Sequence, residues 1–287
     1  MLPELQADTP HADTPHADAP QADAQTGRSG SQQRPVVRHR GAVRQPGTDA
    51  VSEEFPVALV FNGISHAVMM ATPRDLEAFA AGFALSEGLV GQVSEIFDIE
   101  VLVSAASAEV QLTIAQPAFL ALKARRRALA GRTGCGLCGI ESLQMLDLTP
   151  PAIARPLPPL DLHEVVERAA RELPARQVLM RDTGGVHAAA WCDFDGGVQQ
   201  VYEDVGRHNA LDKLIGALAL RHVDLSRGFV FLSSRASYEL VLKAARMNVP
   251  MLATISAPTS LAIDIARQAG MTLASFCRPG GFVQYTG

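Results

Sequence analysis

The chain has 287 residues, 47% of them hydrophobic, and a formal net charge of −5; this is enough apolar material for one large domain or two small ones. The acidic balance argues against a general nucleic-acid binder, which is usually basic, but leaves room for a local basic patch aimed at an anionic small molecule. Its four cysteines, Cys135, Cys138, Cys192 and Cys277, are too few for a disulfide scaffold at this length.

The start of the chain lacks a basic-then-apolar leader pattern, and no apolar run approaches the roughly 18 residues needed to cross a bilayer. Both features predict a cytoplasmic protein whose thiols are reduced at rest. Residues 1–45 contain a decaying five-residue repeat, Ala7-Asp8-Thr9-Pro10-His11 and its copies. With so few large apolar side chains the expectation is a disordered tail, in which His11 and His16 are solvated rather than metal-bound.

The folded part is expected from about residue 46. Phe55–Phe61 and Ile64–Met70 flank Asn62-Gly63, a strong hairpin signal. Thr72-Pro73 suggests a helix N-cap and first position, followed by a helical stripe of Leu76, Phe79, Ala80, Phe83 and Ala84. Ile96–Ser104 and Ala108–Ile114 suggest strands, and 117–130 a helix bearing the basic run Lys123, Arg125, Arg126 and Arg127. The sequence Gly131-Arg132-Thr133-Gly134-Cys135-Gly136-Leu137-Cys138-Gly139 comes next, with a helical turn expected over 140–146.

Five prolines between 149 and 160 mark an extended connector and the internal boundary between an N-terminal lobe, 46–148, and a C-terminal lobe, 149–287. Asp161 can cap a helix with the stripe Leu162, Val165, Val166, Ala169 and Leu173. A hairpin of 186–192 with 198–202 follows. Helices are then expected at 209–220, 238–247 and 260–269, alternating with strands at 229–232, 250–255, 271–276 and 282–285. That alternation implies a layered α/β sandwich, with a smaller mixed N-terminal lobe.

The thiol pair Cys135 and Cys138 permits three chemistries: a redox couple, half of a zinc site, or sulfur handling. A thiolate is the nucleophile in the last, and the preceding arginines favour it. Zinc requires four ligands, and beyond the pair only the scattered Cys192, Cys277, His187 and His208 remain. A zinc-deaminase site needs His-x-Glu upstream and proline before the first cysteine of the pair; no histidine here is followed by Glu two positions on, and Gly134 precedes Cys135.

Five further segments lie at expected strand–helix or strand–turn junctions, where α/β proteins place ligand groups. Tyr202-Glu203-Asp204-Val205-Gly206-Arg207-His208-Asn209 is either a ligand turn or a capping turn, and Asp182-Thr183-Gly184-Gly185-Val186-His187 is open in the same way. Ser233-Ser234-Arg235 and Ser256-Ala257-Pro258-Thr259-Ser260 can hold phosphates, although Ser233, Ser234 and Ser260 can equally be helix caps. Phe276-Cys277-Arg278-Pro279-Gly280-Gly281 offers a guanidinium fork and exposed amides to a nucleotide-like ligand.

These segments together resemble the FdhD family of sulfur carrier proteins needed for formate dehydrogenase activity. The likeness runs in order through Arg132–Leu143, Thr183–His187, Glu203–Lys213, Ser233–Arg235, Ser256–Ser260 and Phe276–Arg278. The resemblance implies a cytidine-deaminase-like fold without deaminase activity, and a homodimer. It implies a sulfurtransferase that takes persulfide sulfur from a cysteine desulfurase and passes it to the molybdenum bis(molybdopterin guanine dinucleotide) cofactor for formate dehydrogenase. Cys135 is then the persulfide cysteine, Cys138 its partner, and Phe276, Cys277, Arg278, Pro279, Gly280 and Gly281 the cofactor-binding segment. A zinc- or cofactor-binding chaperone and a thiol–disulfide oxidoreductase remain as alternatives.

Overall fold

A computed structural model describes residues 23–130 and 148–287. The N-terminal half is built on a four-stranded sheet of β3 (Phe55–Phe61), β4 (Ile64–Ala71), β5 (Ile96–Val103) and β6 (Ala108–Ile114), in the order β4-β3-β6-β5. Asn62 and Gly63 both have positive φ, as the tight β3–β4 turn requires. Asn62 also pins β6: its side chain donates to the Ile114 carbonyl at 3.0 Å and accepts the Ile114 N–H at 2.7 Å. Burial alternates along the first part of β3, where Phe55, Val57 and Leu59 face inward, and then runs on through Val60 and Phe61 past a register shift between Leu59 and Val60.

Helix α1 (Leu76–Ser86) lies against that inner face, and α2 (Gln116–Ala130) follows β6. Thr72 does not cap α1; Asp75 holds that position in a left-handed conformation. Thr72 is instead fully buried, where its N–H and carbonyl are bonded to Asp204 and Lys213. The predicted helix at 140–146 lies outside the described residues.

The C-terminal half is a six-stranded sheet in the order β12-β11-β10-β9-β7-β8, from β7 (His187–Cys192), β8 (Val198–Asp204), β9 (Phe229–Leu232), β10 (Met251–Thr254), β11 (Thr272–Arg278) and β12 (Gly281–Thr286). The central strands β9, β10 and β11 are parallel; the outer pairings are antiparallel. Helix α3 (Leu162–Arg176) covers one face, meeting Phe229, Phe231, Met251, Ala253 and Ala274. Its cap is Asp161, which accepts the N–H groups of His163 and Glu164. Helices α5 (Arg207–Leu220), α6 (Tyr238–Arg246) and α7 (Ser260–Ala269) cover the other face, meeting Val230, Leu232, Leu252 and Leu273. Burial on both faces explains why these strands are unbroken apolar runs. One short helix, α4 (Val178–Thr183), has no counterpart in the sequence prediction.

The halves meet where α1 crosses α5. A methyl group on Gly82 would lie 1.7 Å from the Asp212 carbonyl oxygen, and one on Gly216 1.9 Å from that of Ala78. The two helix backbones touch, and glycine at both crossing points is what allows it. A single apolar cluster consequently runs from Phe55 and Phe79 through Leu211 and Leu240 to Leu273. Each fully buried Leu or Phe in it contributes roughly 1.5–3 kcal/mol.

The expectation of disorder to residue 45 is corrected for residues 23–45. Residues 23–30 form a strap, in which Asp23 accepts the N–H of Asp75 at 3.0 Å. β1 (Ser31–Arg40) and β2 (Val43–Ser52) then form a two-stranded antiparallel ribbon. The proline-rich repeat biased the compositional reading; Val36, Val37, Val43 and Thr48 further on supply β-branched residues suited to strands.

Candidate functional site

Because β9, β10 and β11 run parallel while β7 and β8 are antiparallel, one rim of the large sheet collects five separate segments. In strand order it receives Arg278–Gly281 after β11, Ser256–Ser260 after β10, Ser233–Arg235 after β9, His187 at the start of β7, and Val205–His208 after β8. All five segments singled out in the C-terminal lobe therefore share one edge, the ligand-binding edge of open α/β sheets.

The 203–213 segment is divided between two jobs. Glu203 accepts the N–H groups of Leu179 and Met180, at 2.8 and 2.9 Å, at the start of α4. Asp204 is wholly buried. It pairs with Lys213 at 2.6 Å and accepts N–H bonds from Thr72, Gly206 and the Asn209 side chain. Those acidic residues hold the turn together, but not by capping α5 as the capping reading expected of Asp204 or Asn209: its N-cap, Gly206, has no side-chain cap bond. Arg207 and His208 are left for the rim. Arg207 Nε and His208 Nε2 have no hydrogen-bond partner among the described residues. His208 Nε2 lies 3.8 Å from the Glu239 carboxylate on α6, too far for a hydrogen bond. Burial and the neighbouring Arg207 hold the His208 imidazole below the ordinary histidine range, with Glu239 opposing. His187 is also held down, by burial first and by Arg207 second.

The serines differ from the cap expectation. Ser233 stitches β9 to β7: its hydroxyl accepts the Ala188 N–H at 2.8 Å, and its own N–H bonds the Ala188 carbonyl. Ser237, not Ser233 or Ser234, occupies the N-cap of α6. Thr259 rather than Ser260 caps α7, accepting the Ala262 N–H at 3.2 Å. Thr254 and Ser275 share a buried hydroxyl–hydroxyl bond of 2.7 Å just beneath the rim.

Phe276 is unusual. It has φ of 57°, a left-handed conformation rare for a bulky residue, and is 41% exposed. It sits in a bulge, for the β11–β12 register breaks between Ser275 and Arg278. The bulge turns the ring outward and the Cys277 side chain inward, so Cys277 can offer a ligand only its backbone. Arg278, Pro279 and Gly280 are exposed beside it. The rim thus presents Arg207, Arg235 and Arg278 with one aromatic ring, a local positive lip on an acidic protein.

Two of the four thiols are accounted for. Cys192 and Cys277 are buried in the α3-facing core. Burial pushes the Cys277 thiol up to about 12 and raises Cys192 as well. Neither is a thiolate at neutral pH, and neither can join a zinc site without leaving the core. Among the described residues, no three His, Cys, Asp or Glu side chains gather as metal ligands, and no helix is long and apolar enough to cross a membrane. Cys135 and Cys138 lie outside the described residues.

Two buried ionic clusters were missed from sequence: Asp204–Lys213, and Lys243 with Asp212 and Glu87. The available signal was Asp212-Lys213 inside an otherwise apolar helix, where unpaired charges would be prohibitive.

Comparison with known proteins bears on this rim. The model of the FdhD/NarQ family matches residues 52–287. A protein of Chromobacterium violaceum named sulfur carrier protein FdhD is 67% identical over 252 residues, covering 88% of this chain and 93% of its own. A Burkholderia mallei protein of the same name is 61% identical, over 90% of this chain and 96% of its own. A crystal structure from Desulfotalea psychrophila, described as of a formate dehydrogenase accessory protein, superposes with a TM-score of 0.68 at 26% identity. It covers 90% of this chain and 97% of its own. The family model spans both sheets and every rim segment, and the chain belongs to the FdhD/NarQ family.

Proposed function

We propose that this chain is a sulfur carrier with sulfurtransferase activity, working as a homodimer in the cytoplasm. In this reading the Cys135 thiolate attacks the outer sulfur of a cysteine desulfurase persulfide. A new S–S bond forms on Cys135, the old one breaks, and the desulfurase cysteine leaves as thiolate. Cys138 then attacks the inner sulfur of Cys135. The outer sulfur departs as hydrosulfide, and a Cys135–Cys138 disulfide remains for a cellular thiol to reduce.

The acceptor is the molybdenum bis(molybdopterin guanine dinucleotide) cofactor, handled as a substrate on its way to formate dehydrogenase. The observation that carries the reading is the convergence of five segments on one rim whose outward groups are cationic and aromatic. That chemistry suits a ligand with phosphates and guanine rings. Arg278 can fork onto a phosphate or a guanine edge, and the Phe276 ring offers a stacking face. The exposed backbone at Gly280 admits close approach. The burial of Cys192 and Cys277 leaves the Cys135–Cys138 pair to do the thiolate chemistry.

The test is to incubate the protein with a desulfurase and free cysteine and record its intact mass. A gain of about 32 Da is expected, a single sulfur held as persulfide. It should vanish in Cys135→Ala and persist in Cys192→Ala and Cys277→Ala. A gain that survives Cys135→Ala overturns the assignment. In the same preparation, Arg278→Ala should weaken guanine-nucleotide binding while leaving persulfide loading intact.

A further inference from the structure

Among the described residues, the ribbon β1–β2 is attached to the rest of the chain only at its base. There the Ser52 hydroxyl donates to Thr183 Oγ1 at 2.7 Å, and the Gln32 side chain bonds Glu53. Beyond the base, from Gln33 to Asp49, every residue except Val36 and Gly47 is exposed. A ten-residue strand is roughly 33 Å long, so this is an arm. Isolated two-stranded ribbons are marginally stable in water. This one carries a further handicap, because Arg38, Arg40 and Arg44 crowd its last three residue pairs, and like charges held close on a ribbon are destabilising. Arg38 bonds Asp49 at 3.0 Å, but Arg40 and Arg44 have no carboxylate partner among the described residues.

The outer face of the four-stranded sheet has the opposite character. No described helix packs on it. Val68, Met70 and Leu102 are 45%, 48% and 43% exposed. A shallow depression of about 460 Å³ lies among Ala58, Val68 and Leu102. By register Asp98, Glu100 and Glu109 stand on the same face, on β5 and β6. None of the three has a cationic partner among the described residues. The foot of the arm reaches the end of this sheet, where Arg28 donates to the Ala105 carbonyl in the β5–β6 turn at 2.9 Å.

We infer that the occupant of this face is the arm of a second copy of this chain, with the arginine tip of each copy laid on the acid-rimmed apolar sheet of its partner. The complement is already present in one sequence: residues 31–52 hold four arginines and one aspartate, while the whole chain is −5. Two arms exchanged in this way form a closed, two-fold contact in which each copy gives and receives the same surface. The contact buries exposed valines and neutralises both clusters. Most of the arm precedes residue 52, where the family match begins, so the assignment comes from this chain's own arm and sheet. It rests on the two-copy assembly proposed above and is independent of the sulfur step.

Light scattering of the full chain at low ionic strength tests it. The wild type should have twice the 30.5 kDa chain mass. Arg40→Glu with Arg44→Glu, and separately Asp98→Arg with Glu100→Arg, should each weaken association at least about tenfold, as repulsion replaces attraction. All four changes together should restore it to within about threefold, because the pairs are re-formed with signs exchanged. These side chains are exposed, so Trp191 fluorescence should report an unchanged fold in every variant. A monomeric wild type overturns both the assembly and the arm. A dimer that survives either charge reversal, or is not restored by the combination, overturns the arm alone.

Discussion

Replacing Lys243 by methionine removes the centre of the polar cluster between α5, α6 and α1. Lys243 Nζ sits 2.9 and 2.8 Å from the two Asp212 oxygens, 2.8 Å from Glu87 and 2.8 Å from the Ser86 hydroxyl, in a fully buried site. Although burial disfavours its charge, Asp212 and Glu87 hold the ammonium above its ordinary range. Asp212 has the reverse problem: burial pushes its carboxyl up, and Lys243 is the chief influence pulling it back. Without Lys243, Asp212 keeps only the Ser86 bond of 2.6 Å among the described residues. Stranding one partner of a buried pair costs about 3–5 kcal/mol, a large part of a typical total of roughly 5–15 kcal/mol.

The pH dependence gives the sharper check. In the variant the folded pKa of Asp212 lies further above its unfolded value. A protonated Asp212 is therefore tolerated, and the deficit relative to wild type is smallest in acid. It grows as pH rises through the unfolded carboxylate range and reaches its full size once the folded group would have ionised. Urea unfolding followed by fluorescence measures this directly, because Trp191 is the sole tryptophan and is buried. The midpoint at pH 7 should fall by roughly 1–2 M urea, and Lys243→Met with Asp212→Leu should recover most of it. A loss under about 1 kcal/mol at pH 7, or a deficit that does not shrink at pH 5, would refute the buried-charge reasoning.

Gly82→Ala should be among the most damaging single-atom additions in the chain, since its methyl would meet backbone rather than a movable side chain. A loss of at least about 3 kcal/mol is expected, the top of the overpacking range, against under about 1 kcal/mol for Ala→Gly at exposed Ala121 in α2; equal effects on the urea midpoint would contradict the helix contact. Cys192 and Cys277 should resist alkylation in the native protein and react after unfolding, which peptide mapping resolves. His208, held below the usual histidine range, should be neutral at pH 7 in the folded state. Its contribution to stability is then present above the unfolded histidine pKa and lost as pH falls through the folded one, so His208→Asn should flatten the decline between pH 7 and 5; a parallel decline would rule that out.

The elements that could be identified in advance were those whose local signals agreed. Asp161 caps α3 because nothing competes for its carboxylate, and Phe229–Leu232 can hardly be anything but a strand buried on both faces. Thr72 failed for a reason invisible locally: Asp204 and Lys213, more than 130 positions away, claim its backbone. Ser260 lost the cap to Thr259 by one residue, a shift that depends on where the Ala236–Pro258 bridge ends. The rim segments were identifiable as unusual, yet their meeting on one edge depends on strand order, which β7 and β8 set by joining on the far side of β9.

The same folding decides how the rim can work. A carboxylate exposed in the 203–213 turn would repel an anionic ligand. The fold avoids this by drawing Asp204 inward onto Lys213 and Thr72, and Glu203 onto the start of α4. What remains outside is Arg207 and His208. The acidic residues of the motif thus set the charge of the rim by being withdrawn from it. Through Thr72 they also fasten the rim to the N-terminal half. With α1 and α5 in backbone contact beneath, the halves cannot hinge as separate domains without breaking buried ionic bonds that cost several kcal/mol each. The platform that carries the rim is therefore rigid.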